Sequence, residues 1–138
     1  MKIPGLGIGA GEKELPWKAT EVPGVHWLPL HLEPSPKGEA EASQAKRPAA
    51  TVLIRMAPGS SYGAHRHLGA EEVLVLQGGY ADELGEYHQG EHVHYAPGST
   101  HRPVALGRLG EPEGPNHPAC ILFAVALAGI ELLERDET

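Results

Sequence analysis

The sequence predicts an all-β protein with a single domain, and three observations support this prediction. Eighteen glycines and thirteen prolines among 138 residues interrupt the chain every few positions, which leaves little room for helices. The apolar segments between them are short, notably residues 51–57, which are rich in β-branched side chains, and residues 120–127. A chain of this length buries about two thirds of its unfolded surface as one unit, so no second domain is needed.

The net charge and the hydropathy exclude several classes of partner. A formal charge of −7 with eleven scattered Lys and Arg residues lacks the basic stripe that nucleic acid or an anionic membrane requires. No apolar run approaches the ~18 residues of a membrane span. Cys120 is the sole cysteine, which fits a reducing compartment, and the N-terminal residues lack the continuous apolar region of a signal peptide. We therefore expect a cytoplasmic protein without nucleic-acid or membrane partners.

The N-terminal third is predicted to contain an arm, one strand and a loop. Residues 1–20 include a glycine-rich run at 5–11 that lacks the preceding strand and the Gly-Lys-Ser/Thr of a nucleotide loop, so we predict an N-terminal extension. Residues 25–32 alternate as a strand in which Pro29 indicates an edge position or a bulge. Residues 33–48 are rich in Pro, Glu, Ala, Ser and Lys and are predicted to form a solvated loop.

The rest of the chain is predicted to form strands and hairpins that complete the domain. Residues 82–85 indicate the tip of a hairpin, and residues 91–95 alternate as a further strand. Residues 120–127 form the most apolar segment, which we expect to be a central strand buried on both faces. We place the domain at residues 21–130 and interpret the charged residues 131–138 as a C-terminal tail.

Residues 59–78 carry the side chains that suggest a function. His65 and His67 are two positions apart, so on a strand both imidazoles point to one face and reach a common point. Either Glu71 or Glu72 begins the next strand-like run, where a short loop could return a carboxylate beside the histidines. Two imidazoles and a carboxylate are suitable ligands for a divalent transition metal.

Other histidines and aromatic residues are interpreted without a catalytic role. His92 and His94 share one face of a strand and are interpreted as a surface pair or as part of a pocket wall. Four aromatic side chains are expected to pack in the core or to line a pocket: Trp27, Tyr62, Tyr80 and Tyr95.

The order of the candidate ligands resembles that of the cupin superfamily. The first cupin motif is Gly, five residues, His-x-His, three or four residues, Glu, six residues and Gly. Every one of these spacings is satisfied at five positions, which are Gly59, His65, His67, Glu71 and Gly78.

The second cupin motif is matched less completely. It consists of Gly, five residues, Pro-x-Gly, two residues, His, three residues and Asn, and it is matched at Gly90, Gly98 and His101. Ala96 stands at the proline position, and Ala105 stands at the asparagine position. These departures leave the candidate ligand His101 in place.

Residues 17–127 resemble, more narrowly, the cupin domain of ChrR-type anti-sigma factors and the related acetylacetone-cleaving dioxygenases. The resemblance includes residues 22–25, residues 82–90 and residues 97–101. Those regulators hold a sigma factor with a zinc-binding helical domain. Cys120 is the sole cysteine and no His/Cys/Cys cluster occurs, so no sigma-factor partner is expected.

The resemblance implies a conical jelly-roll barrel, or double-stranded β-helix, of two antiparallel sheets. It also implies one divalent metal ion held by His65, His67, Glu71 and His101. Glu71 is preferred to Glu72 because its interval to Gly78 matches the motif and because it shares its strand parity with the apolar residues that follow. Iron is expected if the protein is an enzyme, and Zn, Mn, Ni or Co are alternatives.

Three hypotheses for function remain open at this point. The first is a metal-dependent, Fe(II)-type dioxygenase-like enzyme that acts on a small chelating substrate such as a β-dicarbonyl compound. The second is a non-catalytic, ChrR-like module that senses a metal or a small ligand, and the third is an isomerase or lyase for a sugar-like substrate. No general base or nucleophile stands out beside the ligands, so catalytic residues are unassigned. We further expect a homodimer that binds a small molecule.

Overall fold

The computed structural model of the chain describes residues 15–33, 46–47 and 49–133. Within those ranges every regular element is a β-strand, so the all-β prediction is confirmed. No helix in this part of the chain is long and apolar enough to cross a membrane. The predicted glycine-rich run at 5–11 and residues 134–138 of the predicted tail lie outside the described residues. The strands are β1 (Lys18–Ala19), β2 (Val25–Leu32), β3 (Lys46–Arg47), β4 (Ala50–Met56), β5 (His65–His67), β6 (Glu71–Gln77), β7 (Gly79–Asp82), β8 (Gly85–His88), β9 (His92–Tyr95), β10 (Thr100–His101), β11 (Val104–Ala105), β12 (Cys120–Ala126) and β13 (Ile130–Leu132).

The strands pair antiparallel in three sheets. A six-stranded sheet has the order β1-β2-β4-β12-β6-β9, a four-stranded sheet the order β10-β5-β13-β3, and a three-stranded sheet the order β11-β7-β8. Strand β12 lies between β4 and β6 and is largely buried, which confirms the central position predicted from its apolar sequence. The β7–β8 hairpin pairs Asp82 with Gly85, so the predicted hairpin tip is also confirmed.

The core lies on the inner face of the six-stranded sheet. Along β6 the burial alternates, with Val73 and Val75 buried and Leu74 exposed between them. Tyr80 of β7 and Ala105 of β11 pack into the same apolar cluster, which brings the three-stranded sheet against the inner face of the larger one. This arrangement of antiparallel sheets agrees with the all-β jelly-roll expected above, although its strands pair in three sheets instead of the expected two.

Three short strands near the predicted boundaries belong to the sheets through backbone pairing. Strand β3 pairs with β13, although it lies at the end of the predicted loop 33–48, of which residues 34–45 and 48 lie outside the described residues. Strand β13 also pairs with β5 and so crosses the predicted boundary at residue 130, while β1 precedes the boundary at residue 20. Such short strands depend on distant partners, which local sequence patterns do not reveal.

Pro29 and Gly78 mark two places where the regular strand geometry changes. The pairing of β2 with β4 shifts register between Pro29 and His31, which confirms the predicted irregularity at the proline. Gly78 has φ +65°, and a Cβ atom there would lie 2.7 Å from the carbonyl oxygen of Ala119. Only glycine fits this turn without strain, and the turn leads the chain from β6 in one sheet into β7 in another.

Candidate metal centre

Four side chains from three strands meet at one buried point. They are His65 and His67 of β5, Glu71 at the start of β6, and His101 of β10, and one ligand atom from each lies within 4.8 Å of the others. Two atoms that are each ~2.1 Å from one ion lie at most ~4.2 Å apart. Small side-chain adjustments would therefore bring all four ligand atoms to a common ion. The structure thus brings together the complete set of side chains predicted from the sequence.

Strand pairing explains why the three histidines converge. Strand β5 alternates, with His65 and His67 buried and Arg66 exposed, as the spacing of two predicts. His101 lies directly opposite His65 in the antiparallel pair of β10 and β5. The turn before β10 is fixed against β5, because the Gly98 N–H donates to the carbonyl oxygen of His67 at 2.7 Å.

The two adjacent glutamates lie on opposite faces of β6. Glu71 is 8% exposed, and its Oε1 lies 3.1 Å from Nε2 of His67. Glu72 points to the outer face, where its carboxylate lies 2.7 Å from His94 and 2.9 Å from His92. Hydrogen bonds from His94 and His92 hold the pKa of Glu72 below its usual value. His92 and His94 are therefore an exposed surface pair, and only Glu71 faces the other histidines.

The tautomer of His67 is fixed by a serine in the Pro-Gly turn. Nδ1 of His67 lies 3.0 Å from Oγ of Ser99. The Ser99 hydroxyl donates its own hydrogen to the carbonyl oxygen of Ala96 at 2.6 Å, so Oγ accepts from His67. The proton of His67 therefore lies on Nδ1, and its Nε2 atom presents a lone pair to the cluster.

The other two imidazoles are held in the same tautomer. The Nδ1–H of His65 donates to the carbonyl oxygen of Gly63 at 3.0 Å. The Nδ1–H of His101 donates to Oδ2 of Asp82, also at 3.0 Å. This pattern, in which the ring nitrogen away from the centre donates to an oxygen, is the one that orients histidine ligands in metal sites. All three Nε2 atoms are consequently free to act as ligands.

The polar atoms at the centre are poorly satisfied by the protein alone. Nε2 of His67 is buried and has no hydrogen-bond partner among the described residues. Nε2 of His65 lies 2.9 Å from Nε2 of His101, and with both protons on Nδ1 these two lone pairs face each other. A buried acceptor without a partner is costly, and a shared cation would satisfy all three nitrogens at once. The donor set therefore fits a divalent transition metal.

Burial favours the neutral form of the His65 and His101 imidazoles, which metal ligation requires. Burial, with a contribution from His101 and His67, lowers the pKa of His65 to about 3. Burial also lowers the pKa of His101, although the hydrogen bond to Asp82 opposes part of this effect. Both rings are therefore uncharged at neutral pH, and a metal ion can bind Nε2 without first displacing a proton from that atom.

Asp82 is a component of the site that the sequence interpretation placed only at a hairpin tip. Burial alone would raise its pKa, but hydrogen bonds from Tyr95, His101 and the Leu84 N–H outweigh burial, so its pKa lies below the usual value. The Tyr80 hydroxyl donates to that of Tyr95 at 2.6 Å, which in turn donates to Asp82 at 2.7 Å. Tyr80 and Asp82 are two residues apart on β7, so their side chains point to the same face of the strand. This spacing is the feature of the sequence that could have indicated an inward-facing carboxylate.

Tyr95 also packs directly against two of the candidate ligands. Its ring stacks on His67 with centroids 4.8 Å apart and lies 4.2 Å from the centroid of His101. Tyr62 contacts the edge of His65 at a centroid distance of 5.1 Å. Tyr95 is buried in the core, as predicted, and the two tyrosines hold the imidazole rings from the sides.

A cavity of about 300 Å³ opens beside the cluster, between the six-stranded sheet and the smaller sheets. Three of the four clustered side chains line it, namely His65, Glu71 and His101. Most of the other lining residues are apolar and belong to β2, β4, β6 and β12. A small molecule in this cavity would contact the cluster directly.

Comparisons with known proteins agree with the fold. A family model described as the ChrR Cupin-like domain matches residues 8–111. No curated protein is significantly similar to the chain in sequence. The anti-sigma factor ChrR of Rhodobacter sphaeroides, solved in complex with SigE, is 26% identical with a TM-score of 0.58. The alignment covers 83% of this chain and 50% of ChrR, so the chain spans half the length of that relative.

Two further solved structures share the fold at low sequence identity. An acetylacetone dioxygenase from Acinetobacter johnsonii is 15% identical with a TM-score of 0.58, over 83% of this chain and 67% of that protein. The polyketide cyclase RemF from Streptomyces resistomycificus is 14% identical with a TM-score of 0.60, over 99% of this chain and 87% of that protein. Proteins with different activities thus share this fold, and similarity at this level supports the fold alone.

Proposed function

The chain belongs to the ChrR cupin-like family, and from this premise we propose that it holds one divalent transition-metal ion through His65, His67, Glu71 and His101. One observation carries the proposal. Three imidazoles that each donate from Nδ1 direct their unprotonated Nε2 atoms, together with a buried carboxylate, towards one point. This arrangement suits a metal of the Fe, Zn, Mn, Ni or Co type.

We propose further that the centre is catalytic and of the Fe(II) dioxygenase-like kind, with a small chelating substrate such as a β-dicarbonyl compound. Three neutral imidazoles and one carboxylate would leave a divalent ion with a net charge of +1, which favours an enolate oxygen donor. Bound Fe(II) would supply the chemistry that activates dioxygen and polarises the substrate.

The chain's own residues have supporting roles in this proposal. Asp82, Ser99 and the Gly63 carbonyl group hold the three rings in the required tautomer. The apolar cavity walls would limit the contact of a bound substrate with water, and the cavity beside His65 and Glu71 would provide space for it.

A second candidate is a non-catalytic module that senses a metal or a small ligand. The specific observation in its favour is the ChrR family match, together with 26% identity to ChrR itself. The ChrR structure contains SigE, so our prediction that this chain binds no sigma factor requires a direct test. Co-purification with sigma factors would contradict that prediction, and sedimentation analysis would test the predicted homodimer. A sugar isomerase or lyase is the lowest choice, because the cavity walls are largely apolar.

The experiment that tests the proposal separates metal binding from catalysis. The protein is stripped of metal, reloaded with Fe(II), Zn(II), Mn(II), Ni(II) or Co(II), and analysed for metal content. Oxygen uptake is then measured for the Fe(II) form with pentane-2,4-dione and related diketones. Tightly held zinc combined with no oxygen uptake by the iron form would refute the dioxygenase and favour the sensor.

Matched variants test the ligand assignment. His67→Ala and His101→Ala should lose the metal, because each removes one of the converging Nε2 atoms. His92→Ala is the control, since this exposed histidine contacts Glu72 on the outer face of the sheet. Retention of metal by all three variants would overturn the assignment.

A further inference from the structure

The apolar cavity beside the cluster indicates the chemical class of ligand that it accepts. We infer that it binds an amphiphilic chelator: a monoanionic head with two oxygen donors that faces the cluster, and an uncharged apolar tail of a few carbons that fills the cavity. This inference rests on the proposed function, because the head requires a metal ion at the four clustered side chains.

The walls that would contact the tail are the inward-facing positions of the six-stranded sheet. Strand β4 contributes alternate residues, Val52, Ile54 and Met56, while the neighbouring strand β12 contributes Leu122 and Ala124. These positions face inward because strand side chains alternate between the two faces of a sheet. These residues of β4 and β12 therefore form an apolar wall of the cavity.

Charge and hydrogen bonding argue against a polar ligand body. No Lys or Arg occurs among the described residues that line the cavity, so those residues provide no cation for a phosphate or a second carboxylate. Thr20 uses its hydroxyl to donate to the Val25 carbonyl oxygen at 2.8 Å, and Tyr80 donates to Tyr95. A polyol or a phosphorylated compound would thus have to bury polar groups without adequate partners.

The size of the cavity limits the length of the tail. A volume of about 300 Å³ is at the lower end of the ~300–1,000 Å³ that small-molecule sites occupy.

Exposed Glu21 and partly buried Thr20, from the loop between β1 and β2, are polar members of the lining. Polar groups on the ligand would therefore be tolerated beside this loop or at the cluster, and not along the hydrocarbon walls.

The test uses Co(II)-loaded protein and a series of hydroxamates with one head group and different tails. Binding of acetohydroxamate, butanohydroxamate, hexanohydroxamate and the ω-carboxylate analogue of the last is followed by the visible absorption of Co(II). Affinity should rise roughly fourfold for each buried methylene group until the cavity is full. The terminal carboxylate should abolish that gain, because no described cationic side chain lines the cavity.

Matched substitutions on the two faces of the sheet locate the tail. Val52→Phe fills the cavity and should remove the gain from longer tails while acetohydroxamate affinity changes little. Val125→Phe is the control, because Val125 pairs with Thr51, points to the outer face of β12 and does not line the cavity. Ile54→Ala provides a second cavity variant, which should shift the preference to longer tails.

The outcomes distinguish this inference from the proposed function. Absence of Co(II) binding would overturn both. Binding of Co(II) and acetohydroxamate with an affinity that does not depend on the tail would overturn the inference and leave the metal centre intact. Equal effects of Val52→Phe and Val125→Phe on tail preference would also overturn it.

Discussion

Replacement of Asp82 by asparagine should weaken metal binding without removing a ligand. The Asp82 side chain is 0% exposed, and its carboxylate accepts hydrogen bonds from Tyr95, His101 and Leu84. Two of these reach Oδ2, from the Tyr95 hydroxyl at 2.7 Å and from the His101 Nδ1–H at 3.0 Å, and the Leu84 N–H reaches Oδ1 at 2.9 Å. The carboxylate therefore fixes both the orientation and the tautomer of His101.

An asparagine at this position has only one oxygen for these three donors. If that oxygen keeps the bond to the Leu84 N–H, the amide NH2 faces His101 and donates to its Nδ1 atom. The imidazole proton then moves to Nε2, where it faces the other ligands and must be displaced before a metal can bind. Loss of such an outer hydrogen-bond partner costs about 10- to 100-fold in metal affinity, or about 1.4 to 2.7 kcal/mol.

The assay is a competition titration of Co(II) between the protein and a chromophoric chelator at several pH values. Glu72→Gln is the matched control, because its carboxylate also contacts two imidazoles but on the outer face of the six-stranded sheet. That control should bind Co(II) like the parent protein. A folded Asp82→Asn variant with unchanged Co(II) affinity and an unchanged pH profile would refute the proposed positioning of His101.

Three further outcomes follow from the burial of individual side chains. Glu71→Gln should lower Co(II) affinity by more than about tenfold whereas Glu72→Gln should not, and equal losses in the same titration would contradict their assignment to opposite faces. The metal-free protein should lose stability as the pH falls below 6.5, because the unfolded chain protonates His65 near 6.5 whereas the folded imidazole has a pKa of about 3. Because the unfolded state binds this proton at a higher pH than the folded state, the free energy of unfolding falls by up to about 1.4 kcal/mol for each pH unit towards pH 3. Thermal unfolding measured over this pH range should show a smaller loss of stability for His65→Gln. Burial raises the pKa of Cys120 to about 12, so a thiol reagent at neutral pH should label this residue only after unfolding, and rapid labelling of the folded protein would be inconsistent with its burial.

The candidate ligands could be predicted because their relationship is local. His65 and His67 share a face through strand alternation, and the same parity argument separates Glu71 from Glu72. The contribution of His101 required the resemblance to a known family, since only the pairing of β10 with β5 places it opposite His65. Motif spacing therefore substituted for knowledge of the tertiary structure.

The residues that orient the ligands could not be predicted in the same way. Asp82 and Ser99 both lie in sequences typical of turns, where aspartate and serine are common for local reasons. Their second role arises only when the β7–β8 hairpin reaches His101 and the Pro-Gly turn reaches His67. Strand β3 was missed for a related reason, because its two residues become a strand through pairing with β13.

The positions of the four ligands along the chain have a mechanical consequence. An ion bound to both Glu71 and His101 would be a removable cross-link that closes a loop containing β7, β8 and β9. Because that loop is already closed by strand pairing, an ion that binds only the folded form would oppose its local opening. Amide hydrogens of this segment would then exchange more slowly with solvent when the ion is bound, and exchange rates would report occupancy of the centre in a protein without any turnover.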